Sequence, residues 1–255
     1  MKDIDHHCGS LCNLIIKSTE YFCDKEEWQR PLVHLKVASG LKSLDYDCSR
    51  FDDSVGWCGP ADIFLDHQDL LEKTLVLELC RFHFIWSALE AAIDISVQVK
   101  DQPEIRGKIN KTCAFIKDKN IEFDAYLGQL ENLEEVLKKD SIYREIVAQI
   151  DTPKHVNIYG KGVYLAYRLR NRLAHGALDI PLTMQEKEQH FDAEIVRCLS
   201  RLTLFTIQIL AIIDFEEAYS FFVWDYVEMP IRLALTNIQE DIHPEDLYPE
   251  FDEAR

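Results

Sequence analysis

The chain has 255 residues, 47% of them hydrophobic, which is enough for one large domain with a sizeable core and excludes disorder throughout. Glycine (9) and proline (8) are sparse, which favours long helices over many short strands joined by tight turns. A formal net charge of −17 repels nucleic acid and anionic membrane at long range, with one exception: Lys154 to His175 holds five basic residues (Lys154, Lys161, Arg168, Arg170, Arg172) and no Asp or Glu.

The expected architecture is all-α, a helical bundle with an N-terminal extension over residues 1–60. Met1 to Asp5 has no apolar stretch of the signal-peptide kind. Within the extension, Leu14, Ile15 and Ile16 begin an apolar run expected to be helical through Trp28. Pro31 is expected to break it, and residues 39–60, with Ser39-Gly40, Gly56 and Gly59-Pro60, read as loops. A helical domain is expected over 61–238. Its clearest signal is residues 66–97, where Leu71, Leu75, Leu79, Phe82, Trp86, Leu89 and Ile93 recur at spacings of three and four. Shorter, more polar helices are predicted at 104–118, 124–139 and 141–150, as a helical insertion over 104–150.

The next helix is predicted from Tyr159 to His175, with Gly162, Leu165, Ala166, Leu169 and Leu173 toward the core and Gly176 as its C-terminal cap. Tyr159-Gly160-Lys161-Gly162 lacks the Gly-Lys-Ser/Thr element of a phosphate loop and reads as a flexible lead-in. A long helix is predicted over 186–214, with Phe191, Ile195, Cys198, Leu202, Phe205 and Ile209 on one face. Its longest uncharged stretch, Leu202 to Ile213, is about half of a membrane span. A further helix is expected over 216–238, interrupted near Pro230. An acidic tail follows over 239–255, with seven Asp or Glu from Glu240 on. The expectation is a cytoplasmic protein without membrane contact, its eight cysteines reduced and packed as small hydrophobes.

The chemistry is concentrated at residues 164–175. At about 100° per residue, Tyr164, Arg168, Asn171 and His175 share one stripe opposite Leu165, Leu169 and Leu173. The same pattern also describes the solvated face of an amphipathic helix. Three features favour a site. His175 sits in the last turn, where unpaired carbonyls make a field that favours cations, and imidazole is the side chain that exchanges protons at physiological pH. Asn171 lies one turn earlier, where its amide can orient the ring or a phosphate. Crowded guanidiniums repel one another unless an anion sits among them, and their planar fork suits phosphate.

Arg170-Asn171-x-x-Ala174-His175-Gly176 resembles the motif of the HEPN superfamily: Arg, four to six residues, then His. The order of long helix, motif helix and long helix is similar to that family too, and Trp86-Ser87-Ala88-Leu89-Glu90 resembles part of its first core helix. The likeness covers residues 66–215. It implies a helical bundle that forms homodimers and a metal-independent endoribonuclease, set in a toxin–antitoxin or antiviral defence system. It further implies that His175 is general base or acid, Arg170 stabilises charge on the scissile phosphate, and Asn171 positions the phosphate or the imidazole. Arg168, Arg172, Tyr164 and Lys161 are then candidates to touch RNA. Glu90 is a second candidate, able to pair with Arg170 or tune His175, or else an ordinary boundary carboxylate. No cofactor is implied; a regulatory protein partner is compatible with such systems. The alternatives are a non-catalytic HEPN-like module that dimerises or binds a nucleotide or protein, and a helical scaffold whose Arg and His form salt bridges.

One geometric conflict stands in the motif. Residues five apart are separated by about 140° on a straight helix, so Arg170 and His175 do not share a face. Either Arg170 reaches round, or the helix unwinds at His175, or a second protomer supplies the Arg. Arg168 is better aligned with His175. Elsewhere, His6-His7-Cys8-x-x-x-Cys12 carries ligand types suited to zinc, but at irregular spacing and without a Cys-x-x-Cys knuckle, so no metal is expected there. The aromatic residues from Phe215 to Tyr226 read as core or interface.

Overall fold

The computed structural model describes residues 3–21, 23–47, 59–97, 104–119, 123–175, 192–215, 221–224 and 227–229. In chain order these form α1 (Ile4–Tyr21), a 3-10 segment (Cys23–Trp28), α2 (Gln29–Gly40), α3 (Gly59–Ser96), α4 (Lys108–Lys119), α5 (Asp124–Lys139), α6 (Ser141–Ala148), α7 (Ile158–Ala174) and α8 (Asp192–Asp214). The fold is all-α, as expected from the sequence. Among the described residues the one departure is an antiparallel hairpin of β1 (Phe221–Trp224) and β2 (Val227–Met229), pairing Phe221 with Met229 and Phe222 with Glu228. A helix had been expected over that stretch. Its run of aromatic and β-branched residues fits a pleated strand at least as well.

Helix α8 is the axis of the bundle. Ile195, Val196 and every residue from Cys198 to Ile212 are buried, where the sequence predicts burial of one face. A helix enclosed on all sides carries its polar groups inward, and most of them find partners, the buried Ser200 hydroxyl having none among the described residues. Thr203 and Thr206 donate their hydroxyls to the carbonyls of Leu199 and Leu202, at 2.7 and 2.8 Å. By length and composition α8 could cross a membrane, but here it lies buried within the bundle.

Helices α1 and α2 belong to the same core. Ile4, Cys8, Leu11, Ile15, Leu32 and Leu35 join one apolar cluster with α3, α5, α7 and α8. Trp28, fully buried, packs on Phe215 with ring centroids 5.6 Å apart and donates its indole N–H to Asp214 Oδ2 at 2.9 Å. Two proline positions depart from expectation. Pro31 lies in the first turn of α2 and Pro60 at the second residue of α3, places where a missing N–H breaks no helical bond.

Helix α5 spans the predicted 124–139, burying Tyr126, Leu130, Leu133 and Leu137 at helical spacing. It meets α7 at Gly162, whose N–H donates to the buried Tyr126 Oη at 2.9 Å. A Cβ on Gly162 would stand 2.6 Å from that oxygen and 3.0 Å from a Leu202 methyl. Gly162→Ala is therefore expected to cost about 1–3 kcal/mol through overpacking, read as a lower urea midpoint. The lead-in Tyr159–Gly162, expected to be flexible, is instead the first turn of α7. Asn157 caps it by accepting the Gly160 N–H at 2.9 Å, and its glycines let α7 approach Cys113 and Tyr126.

Burial also sets the protonation of the core. The Cys8 and Cys113 thiols are pushed up to about 12 by desolvation, from an ordinary 9.0, and burial raises the Tyr126 phenol as well. From about pH 9 toward pH 12 the unfolded chain releases protons that the folded chain retains, so stability falls as pH rises. The urea midpoint is expected to be lower at pH 10 than at pH 7.

Candidate functional site

Helix α7 ends at Ala174. His175 is its C-terminal cap, at φ −97° and ψ 10°, with its backbone N–H bonded to the Asn171 carbonyl at 3.0 Å. That backbone lies in the bridge region, outside helical geometry. His175 is exposed, and its ring has no hydrogen-bond partner among the described residues. Gly176 and the connection onward to α8 fall outside the described residues.

Arg170 is held from below by α3. Its guanidinium lies 5.8 Å from the Trp86 ring centroid, and its Nη1 donates to Asn171 Oδ1 at 3.4 Å. Trp86 is fixed on three sides. Tyr167 stacks on it at 6.4 Å, Phe82 meets it edge-on at 5.9 Å, and its indole N–H donates to Glu90 Oε1 at 2.8 Å. Glu90 therefore anchors the tryptophan, and among the described residues it forms no ion pair with Arg170. A guanidinium on an aromatic face is stabilised by roughly 0.5–2 kcal/mol while its edge stays available to an anion.

The remaining candidates divide. Arg168 is exposed with no partner among the described residues. Arg172 donates from Nη2 to Gln149 Oε1 at 3.3 Å. Lys161 is paired with Glu134 at 2.5 Å. Tyr164 does not face a groove: it is buried and donates its hydroxyl to the Asp151 carbonyl at 3.2 Å, because α4 and α5 also pack on α7, which an isolated helix would leave open. The structure thus joins Arg170, Asn171, Trp86 and Glu90, with Arg168 and His175 exposed on the same last turns.

Of the N-terminal His and Cys residues, His7, Cys8 and Cys12 are drawn inward, while His6 is exposed. His7 accepts from Arg201 Nη1 through Nδ1 at 2.9 Å, so its proton sits on Nε2, which donates to Gln208 Oε1 at 2.5 Å. Cys8 and Cys12 are buried, and desolvation raises both thiols, to about 12 and about 11.

A cleft of about 610 Å³, unsuspected from the sequence, lies between the start of α1, the middle of α3, α5 and the first half of α8. Glu78, almost fully buried, accepts from Arg81 Nη1 at 3.1 Å and from Arg197 Nε at 3.0 Å, both through Oε1. Each of these charges, taken alone in the sequence, looks like ordinary helix surface.

No family model, curated protein or solved structure matches this chain.

Proposed function

We propose that the chain is a metal-independent endoribonuclease of the HEPN type. In this reading His175 takes the proton of a ribose 2'-hydroxyl, whose oxygen attacks the adjacent phosphorus. The 5'-oxygen leaves and takes up a proton from solvent, giving 2',3'-cyclic phosphate and 5'-hydroxyl ends. Arg170 balances charge building on the phosphate oxygens, and Asn171 holds that guanidinium. Arg168 and Arg172 meet neighbouring phosphates. The observation that carries the reading is the end of α7 at Ala174. As the cap, His175 is half in the helix, its N–H still on the Asn171 carbonyl, so in this reading the separation of about 140° from Arg170 is bridged by the long arginine side chain or by the Arg170 of a second protomer.

The natural substrate is RNA, the working form a homodimer, and the setting a cytoplasmic toxin or antiviral effector answering to a protein partner. The test is incubation of end-labelled RNA with the protein in excess EDTA. Cyclic-phosphate ends are expected; intact RNA from a folded dimer would count against the enzyme. A second reading, a non-catalytic HEPN-like module for dimerisation or for nucleotide or protein binding, is favoured by the net charge of −17, since broad grip on RNA needs positive potential.

A further inference from the structure

Two stretches of this acidic chain are basic, and the fold places them side by side. Residues 104–119 and 151–175 together hold ten Lys or Arg and three Asp or Glu, in a chain of net charge −17. Helix α4, from the first stretch, packs on α7, from the second. The segment leading into α7 joins them. From Gln149 to Asn157 it runs back along α7. Gln149 Oε1 accepts from Arg172 at 3.3 Å, the Asp151 carbonyl accepts from the Tyr164 hydroxyl at 3.2 Å, and Asn157 caps the first turn. The same segment meets α4, where the Lys154 carbonyl accepts from Lys117 Nζ at 2.9 Å and His155 Nε2 lies 3.3 Å from Asn110 Oδ1.

These contacts trace one continuous path from the end of α7 to α4. Tyr164, Arg168 and Arg172 are spaced four apart, so they share a stripe about 12 Å long. Tyr164 and Arg172 both touch the segment, which places Arg168 beside it, between them. Arg168, Lys154 and Lys117 are exposed, and none of them forms an ion pair among the described residues. Arg172 has a neutral partner in Gln149 and so keeps its full charge. Two acidic groups lie close by. Asp151 is exposed within the path, and Asp118 is turned about 100° from Lys117 around α4. Lys161 does not belong to the face, because Glu134 neutralises it.

We propose that this face carries single-stranded RNA away from the cleavage point at His175, with phosphates on Arg172, Arg168, Lys154 and Lys117. The inference rests on the ribonuclease reading and deepens it: the substrate is a strand of several nucleotides, gripped well beyond the scissile bond. Cations set in a line with neutral or no partners match the repeating charge of a nucleic-acid backbone, and such contacts position a strand without reading its bases. The acidic remainder of the chain repels a polyanion, which leaves this face as its place of approach.

The test uses the full chain and 2'-O-methyl oligoribonucleotides, which lack the attacking hydroxyl, so that binding is read apart from cleavage. By fluorescence anisotropy at low salt, a strand of about 12 nucleotides is expected to bind about tenfold or more tightly than one of about 3. Lys117→Glu combined with Lys154→Glu is expected to weaken the long strand about tenfold or more and to flatten its salt dependence, while sparing the short one. Lys154→Glu alone breaks no side-chain bond among the described residues and serves if the double variant fails to fold. Asp151→Asn keeps the carbonyl bond to Tyr164 and is expected to tighten the long strand, a gain that a merely structural residue would not give. Equal binding of long and short strands would overturn the proposal. So would undiminished binding by the folded lysine variants, or polyglutamate competing as well as RNA, which would mark the face as one for an acidic protein. Failure of the ribonuclease reading shows separately: unmodified RNA then stays intact in EDTA, while the long strand still binds with the same pattern across the variants.

Discussion

His175→Ala is expected to lower RNA cleavage in EDTA by about 10²–10⁴-fold, the usual worth of a general acid–base group. The same change is expected to leave stability within about 0.5 kcal/mol, because the ring is exposed and the capping bond to Asn171 comes from the backbone. This separation makes the substitution decisive: a scaffold histidine would move stability, and an idle surface histidine would move neither quantity. Arg170→Ala is less clean, since it also removes the guanidinium from Trp86. Arg170→Lys keeps the charge but loses the planar stack and fork, and a large loss of cleavage from that change would point to bidentate phosphate contact. Mixing His175→Ala with Arg170→Ala protein asks where the arginine comes from. If one protomer's Arg170 serves the other's His175, mixed dimers regain part of the activity. If each site is built within one chain, mixing restores nothing. Equal cleavage by parent and His175→Ala would mean that the base lies elsewhere or that the activity is a contaminant.

How much was legible in the sequence varied with how local the cause was. Helix α5 matched its predicted span because Tyr126, Leu130, Leu133 and Leu137 follow helical spacing with a polar opposite face. The span of α7 was also clear, and so was the exposure of Arg168 and His175 at its end. Tyr164 was misplaced because a helical wheel assigns faces relative to one core, whereas α7 packs on α8 on one side and on α4 and α5 on others. The reach of α3 back to Gly59 was hidden by Gly59-Pro60, a pair that reads as a turn yet suits a helix start. The cleft was not legible at all. Its residues come from five separated stretches, and the pairing of Glu78 with Arg197 spans 119 positions. Nothing in the sequence marks Glu78 as buried, since a carboxylate is almost never enclosed without partners that only the tertiary fold supplies.

The first helices are where the fold is most exposed to a single change. Trp28→Ala is expected to destabilise the protein by about 3–5 kcal/mol, the usual cost of truncating a fully buried aromatic. Three losses coincide at this position. A large cavity opens beneath Phe215, whose ring Trp28 meets at 5.6 Å. Among the described residues Asp214 loses one of two donors to its Oδ2, keeping the Ser96 hydroxyl at 2.8 Å. The contact between the 3-10 segment and the end of α8 loses its main apolar anchor. Trp28→Phe separates these effects, since it keeps most of the volume and removes only the indole N–H. It is expected to cost about 1–3 kcal/mol through the donor lost to a part-buried carboxylate. Urea unfolding of the three proteins followed by far-UV circular dichroism measures both steps. If α1 and α2 are integral to the core, as their buried residues indicate, Trp28→Ala shifts one cooperative transition to lower urea. A new early transition with an unchanged main midpoint would instead show that the N-terminal helices unfold on their own and that the remaining bundle holds without them.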